Sequence, residues 1–283
     1  MSNMIIAAKN YVDDASSITA DSEVATLPVE NLQDFQIVKV YRSDGATTVQ
    51  IDVDWGSQKL VDFFALIAHN LSTGGQVRWR LSNDNFSTFI YDSGTVNAWQ
   101  PVEDFGGSPW GVFTWGGVPT EEERTLYTAN TFQLVDSPQL ARYLRLDITD
   151  SINADGYIQA GRLIAGPAYQ PSVNYATGVE FEFIDNSRVT KSRGGQTFVD
   201  EIQKFRVIRF ELINLPEDEI FANVFNNIDR VKGISKDVLI IPQPDVPSTW
   251  LTQNVYGRIA SISPVRNRAL TFYSRQVEVE EII

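Results

Sequence analysis

The chain has 283 residues, 43% of them hydrophobic, which is enough to bury the core of one large or two ordinary domains. Its 36 acidic and 23 basic residues give a formal net charge of −13, which disfavours nucleic acid as a partner because phosphates would repel it. Cysteine is absent, so disulfides and thiolate metal sites are excluded. The N-terminal residues do not resemble a signal peptide, and the longest apolar run, 63–68, is far below the ~20 residues of a membrane span. We therefore expect a soluble protein with no membrane insertion.

The first half of the chain has the alternation of apolar and polar residues that is typical of β-strands. An apolar run at 63–68 fits a central strand that is covered on both faces. Strands with one buried and one wet face are predicted at 49–55, 77–81 and 143–148. Turn residues separate these runs, and the spacing predicts a β-sandwich or jelly roll over residues 1–166.

A glycine- and proline-rich segment at 101–130 interrupts this pattern, and aromatic residues in and beside it are the candidate ligand-binding residues. Rings there could stack on sugar faces while nearby amides and carboxylates bind hydroxyls. The alternative is that the rings close the open end of the sandwich, and it is favoured because large aromatic residues in loops are usually anchors. The candidates are Trp99, Trp110, Phe113 and Trp115.

Two prolines and weak periodicity at 167–178 indicate a linker, and a second domain is predicted from 179 to 283. This domain is expected to be a β-barrel-like structure that carries one helix at 216–230. Pro216 suits the first helical position, and the three acidic residues that follow it complement the helix dipole. The basic residues Arg188, Lys191 and Arg193 are interpreted as a solvated surface.

Catalytic and metal-binding patterns are weak. His69 is the single histidine, so a multi-histidine metal site is excluded, and a hydrogen-bonded structural histidine is favoured over a catalytic base. Carboxylates are numerous, but a glycosidase needs two that face each other, which the sequence does not indicate. An EF-hand at 151–162 fails because Ser151 and Arg162 occupy ligand positions. We predict no catalytic residues, no metal, no cofactor and no enzyme activity.

A resemblance adds to this interpretation. The phrases LPVENLQD, YRSDG, IDVDWG, ALIAHNLS, RWRLSND and IYDSG, with the closing strands RYLRLDITD and INADGYIQAGRLIAG, resemble a discoidin-like, galactose-binding-type jelly roll as found in structural proteins of tailed bacteriophages. The phrases FEFIDNSRVTKSRGGQTFVDE, RFELINL and LIIPQPD resemble the barrel domain of phage distal-tail proteins. No sugar-binding residue is carried over, because loops vary most in this fold class.

The resemblance implies a structural component of a phage tail tip (a distal or minor tail protein). Its partners would be copies of itself in a hexameric ring, the tail tube protein and the hub or baseplate proteins, with accessory contact to host-surface glycan. It would reside in the virion tail, and in the host cytoplasm during assembly. The alternative is a stand-alone carbohydrate-binding module or a glycan-active accessory protein. The residues predicted for the subunit interface are Phe205, Val207, Phe221 and Phe225.

Overall fold

A computed structural model describes residues 2–102 and 117–283. The chain forms two compact units: the first comprises Met1–Gln170 and Ile241–Asn254, and the second comprises Pro171–Ile240 and Val255–Ile283. The division after Gln170 falls inside the predicted linker. Nothing in the local sequence indicates that 241–254 belongs to the first unit. Leu251 is buried in the core of that unit, and Trp250 contacts the edge of Phe132 with ring centroids 6.1 Å apart.

Antiparallel strands build the first unit. They are β1 (Ile5–Ala7), β2 (Ser17–Ala20), β3 (Tyr41–Arg42), β4 (Thr48–Ile67), β5 (Gln76–Ser82), β6 (Tyr91–Asp92), β7 (Val96–Asn97), β8 (Asn130–Thr149), β9 (Gln159–Ala160) and β10 (Arg162–Gly166). Short helical turns lie at Val29–Gln33, Glu123–Leu126, Pro247–Thr249 and Trp250–Gln253.

The main sheet of this unit has the order β10-β4-β8-β5-β6, with β2 also on β4 and β7 also on β5. The pairing of β4 with β8 shifts register between Asp54 and Lys59, where an irregularity of this kind bends both strands. Side chains from before the bend (Ile51, Val53) and after it (Phe64, Leu66) share one buried core. The sheet therefore curls back on itself as a β-sandwich, and the predicted mostly β fold class is confirmed.

The second unit is also mainly antiparallel β-structure, with the sheet order β15-β16-β18-β14-β11 and with β17 paired to β18. A separate hairpin is formed by β12 and β13. The strands are β11 (Glu180–Ile184), β12 (Arg188–Lys191), β13 (Thr197–Asp200), β14 (Phe205–Pro216), β15 (Asp237–Ile241), β16 (Val255–Ile259), β17 (Arg266–Ala269) and β18 (Phe272–Glu281).

The predicted helix at 216–230 is present, but it is not an α-helix throughout. A single α-helical turn at Glu217–Glu219 leads into a π-helix at Ile220–Arg230. The π-helix buries Ile220, Val224 and Ile228, so successive core residues are four apart. No helix in the described ranges is long and apolar enough to cross a membrane.

Candidate ligand-binding site

The outer face of the first unit carries paired charges. Because β4 and β8 alternate, their apolar residues enter the core and the residues between them point outward. Asp52 lies opposite Arg145 in the register and accepts two hydrogen bonds from its guanidinium, each of 2.7 Å. Asp54 accepts two from Arg142, each of 2.8 Å. Such bidentate pairs hold both side chains in a fixed orientation.

Two aromatic rings lie against these guanidinium groups. The Arg145 guanidinium carbon is 4.0 Å from the centroid of the Phe86 ring, and that of Arg142 is 4.9 Å from the centroid of Tyr143. The two rings contact each other edge to face, with centroids 5.5 Å apart. Cation–π contacts therefore connect the ion pairs to a small apolar surface.

The loop after β5 presents Phe86 in a strained backbone conformation. Asn85 and Phe86 have φ angles of 54° and 66°, in the left-handed region that residues other than glycine rarely adopt. Asp84 holds the loop by accepting hydrogen bonds from the Thr88 amide (2.9 Å), the Thr88 hydroxyl (2.7 Å) and the Ser82 hydroxyl (2.7 Å). These bonds, that from the Thr88 amide foremost, lower the pKa of Asp84 to about 2. Strain that the surroundings maintain in this way is a frequent mark of a functional site.

Asp52, Asp54, Phe86, Tyr143 and Arg145 line a groove of about 520 Å³, which we call the face groove. This volume is in the usual range for small-ligand sites. It combines two aromatic walls with carboxylate, guanidinium, amide and hydroxyl groups on rigid strands. Its lining residues include Ser17, Thr19, Asp52, Asp54, Asn85, Phe86, Tyr143 and Arg145.

The sequence alone does not reveal this groove. The alternation at 49–55 predicts a strand with one wet face, and the structure has that strand, but alternation does not show which strand lies beside it. The signal that was available is the run Ser82-Asn83-Asp84-Asn85, whose short polar side chains favour a tight loop directly before an aromatic residue.

The electrostatics of the groove favour binding over proton transfer. The hydrogen bonds from Arg142 are the largest influence on Asp54, and they hold its pKa below the usual range. A glycosidase acid needs the opposite, a carboxyl group whose pKa is raised so that it keeps its proton. Asp54 is therefore a fixed hydrogen-bond acceptor in this arrangement.

His69 is a buried structural residue, as its position predicted. Its Nδ1 accepts a hydrogen bond from the Leu71 amide (3.3 Å), so the proton resides on Nε2, which lies 3.0 Å from the Thr131 hydroxyl. Burial, with a smaller effect of Arg124, lowers the pKa of His69 to about 3. The imidazole is thus neutral near pH 7, and its hydrogen bonds among the described residues are to a backbone amide and a threonine hydroxyl, not to a carboxylate.

Of the predicted ligand-binding residues, Trp99 belongs to the core of the first unit. It is 2% exposed, donates its indole N–H to the Leu71 carbonyl (2.9 Å) and contacts His69 edge to face. Its edge borders a second groove of about 410 Å³ that is also lined by Phe132 and Trp250. Trp110, Phe113 and Trp115 lie outside the described residues.

The predicted interface residues differ in their exposure to solvent in the second unit. Val207 is 1% exposed, so it is a core residue, and its role in a subunit interface stays a prediction. Phe205 is half-buried, and Phe221 packs between Phe225 and Tyr273 with ring centroids 5.7 and 5.3 Å away. Phe225 remains exposed.

The turn at 150–156 is held by hydrogen bonds from the segment 70–72. Asp150 is buried and accepts bonds from the Ser72 amide and hydroxyl, both 2.6 Å long. Asp155 accepts from the Asn70 side chain at 2.9 Å. Among the described residues, no group of three or more His, Asp or Glu side chains is arranged to hold a metal ion.

Comparison with known proteins finds solved structures of low sequence identity to this chain. No protein-family model and no curated protein matches the chain. A family 32 carbohydrate-binding module from C. perfringens NanJ, solved with galactose, is 14% identical and covers 57% of this chain and 98% of its own, with a TM-score of 0.39. The lectin domain of lectinolysin, solved with Lewis B antigen, is 11% identical over 56% of this chain and 95% of its own (TM-score 0.37). A Streptococcus pneumoniae fucose-binding module, SpX-3, is 7% identical over 57% and 99% (TM-score 0.38).

Proposed function

We propose that the protein binds glycan, without turnover, through the face groove of its first unit. The observation that carries the proposal is the joint placement of Phe86 and Tyr143 beside the Asp52–Arg145 and Asp54–Arg142 pairs. An aromatic wall packs against the C–H surface of a sugar ring, and bidentate pairs offer acceptors and donors at fixed positions to its hydroxyls. Because the polar groups are already oriented by each other, little side-chain entropy is lost when a ligand binds.

A glycan array followed by calorimetry with the best ligand tests this proposal. Phe86→Ala removes one wall and is expected to weaken binding about tenfold or more. The matched control is Phe89→Ala, because Phe89 is exposed on the same loop, stacks on Arg80 at 4.5 Å and is not among the groove-lining residues. Equal losses in the two variants, or an array without any binding, would contradict the proposal.

We infer a second function from the second unit: assembly into a ring at a phage tail tip, between the tail tube and the hub or receptor-binding parts. The sequence resemblance suggests this role, and the exposed apolar strands β11 to β13 support a unit that is completed by neighbours. Location in the virion tail, and in the host cytoplasm during assembly, belongs to the same proposal. Electron microscopy of the purified chain at high concentration is expected to show closed rings, and a strictly monomeric protein would count against the role.

A further inference from the structure

The face groove contains two rows of side chains that cross strands β2, β4 and β8. In the register of the sheet Ser17 lies opposite Asp54, and Asp54 lies opposite Tyr143. Residues that lie opposite each other in antiparallel strands point to the same side of the sheet, so these three share its outer face. All three line the groove, and we call them the serine row.

A second row lies two positions along the same strands. Thr19 lies opposite Asp52, and Asp52 lies opposite Arg145. These three also line the groove, and we call them the threonine row. Two residues of a strand span roughly 6.7 Å, so the separation of the two rows is comparable with the length of one sugar unit in a chain.

Each row supplies the same three kinds of group. Strand β2 contributes a hydroxyl, and β4 contributes a carboxylate that is held by a bidentate arginine. An aromatic ring lies against each of these arginines, Tyr143 in the serine row and Phe86 beside the threonine row. Because the two rings contact each other edge to face, they form one continuous wall along both rows.

The charged groups of the groove are already neutralised. Asp52 is paired with Arg145, and Asp54 is paired with Arg142. The adjoining charges of the same face are also paired, as Arg78–Asp92 and Arg80–Asp147. An anionic sugar would therefore be placed beside two carboxylates whose cations are occupied, which disfavours acidic glycans.

The hydrogen-bonding groups that stay free in the groove are uncharged. Within the described part of the chain no hydrogen bond occupies the hydroxyls of Ser17, Thr19 and Tyr143 or the side-chain amide of Asn85. Each of these groups can donate as well as accept, which suits the hydroxyls of a neutral sugar. They are distributed over both rows, with Asn85 next to Phe86 in the sequence.

We propose that the face groove binds two consecutive sugar units of an uncharged glycan chain, one unit on each row. The inference rests on the proposed glycan binding and names its substrate class. Each ring of the wall would pack against the C–H surface of one unit, while the free hydroxyls and the remaining lone pairs of the carboxylates would bind its hydroxyls. A single sugar would occupy one row and leave the other in water.

A glycan array and a length series test the class and the number of units with the full chain. The array pairs each neutral chain with the same chain carrying sialic acid or a uronic acid, and the acidic member is expected to bind at least about tenfold more weakly. The neutral chain that binds best is then titrated by calorimetry as fragments of one, two and three units. Two units are expected to bind about tenfold or more tightly than one, and a third unit is expected to add less than about twofold.

Substitutions on β2 test each row separately. Ser17→Ala and Thr19→Val each remove one free hydroxyl at an exposed position, and each is expected to weaken binding of the two-unit fragment about threefold to tenfold. Binding of the single unit is expected to change in one of the two variants and not in the other. The matched control is Thr149→Val, because Thr149 is exposed on β8 and is not among the groove-lining residues. It is expected to bind as the unmodified chain does, and equal melting temperatures show that all three variants are folded.

The outcomes separate this inference from the proposed function. A single sugar that binds as tightly as the two-unit fragment, or a Thr19→Val variant that binds like Thr149→Val, would overturn the two rows while glycan binding stands. Acidic chains that bind as tightly as their neutral partners would overturn the uncharged class. An array without any binding would overturn the inference and the proposed function together.

Discussion

The outer face of the first unit and the β12–β13 hairpin of the second unit are both built from strands. They differ in whether their side chains have partners within the chain. On the first, each groove carboxylate is paired with a guanidinium, and each of those guanidinium groups lies on an aromatic ring. On the hairpin of β12 and β13, the apolar side chains of Val189, Phe198 and Val199 are exposed. A surface whose polar groups are already oriented suits a small polar ligand, whereas an unsatisfied surface suits a partner large enough to cover it.

The largest effect on the free energy of unfolding is expected from a substitution in the core beneath the outer face. Trp79 is fully buried under the outer face and stacks on Phe64 with ring centroids 5.2 Å apart. Trp79→Ala should reduce the free energy of unfolding by about 3–5 kcal/mol, because it leaves a large cavity in the core. Urea unfolding monitored by circular dichroism measures this loss. A loss under ~1 kcal/mol would mean that the outer face does not depend on this core.

The second effect concerns the pH dependence of the first unit. The pKa of His69 is lowered to about 3 in the folded state from an ordinary 6.5, so the unfolded chain binds the proton more readily. This contribution to stability is complete above pH 6.5 and is lost as the pH falls towards 3. Between pH 7 and pH 5 the unmodified chain should lose about 2 kcal/mol more than His69→Gln. Equal losses in parallel urea titrations of the two proteins would show that the histidine is not buried as a neutral group.

A smaller effect is expected from the ion pairs on the outer face. Asp54→Asn should change the free energy of unfolding by less than ~1 kcal/mol, because partly exposed salt bridges contribute little. The same substitution should weaken glycan binding, since it releases Arg142 from its place beside Tyr143. Thermal unfolding and calorimetry on one preparation separate the two effects. A large loss of stability with unchanged binding would reverse the interpretation of this pair as part of a ligand site.

The smallest effect on the free energy of unfolding is expected from a substitution in the β12–β13 hairpin. Phe198 is exposed, so Phe198→Ser should leave the free energy of unfolding within about 0.5 kcal/mol of the unmodified chain. It should nevertheless lower self-association, because the proposed assembly would cover the exposed phenyl group of Phe198 with a neighbouring copy. If the melting temperature of the monomer falls by several degrees, the hairpin packs on its own chain and the contrast with the outer face is lost.

Part of this molecule follows from local sequence patterns. The period of two at 49–55 and 143–148 identifies strands with a wet face, and the apolar run at 63–68 identifies the strand that is buried on both faces. The position of His69 at the end of that run predicts a buried hydrogen-bonded histidine, and the structure shows one. Local patterns carry these features because strand periodicity depends on neighbours in the sequence.

Other features are decided at long range. The π-helical winding at 220–230 is accompanied by a buried ion pair between Asp229 and Arg275, 46 positions apart by their numbers. The sequence around Trp99 predicts a loop. In the structure its side chain is buried, and its indole N–H donates to the Leu71 carbonyl 28 positions earlier. The membership of 241–254 in the first unit depends on Leu251 and on contacts with strands more than a hundred positions earlier. No window of neighbouring residues contains these partners.

The sequence by itself determined the class of this protein: two mostly β regions, an acidic chain, a structural histidine and a helical segment after Pro216. The tertiary structure alone decided which wet faces matter. It placed Asp52 and Asp54 beside Arg145 and Arg142, and it turned the loop so that Phe86 borders the groove. It also left Phe183, Val189 and Phe198 exposed to solvent. The physical reason is that alternation sets which side of a strand meets water, whereas strand register sets which side chains meet each other there.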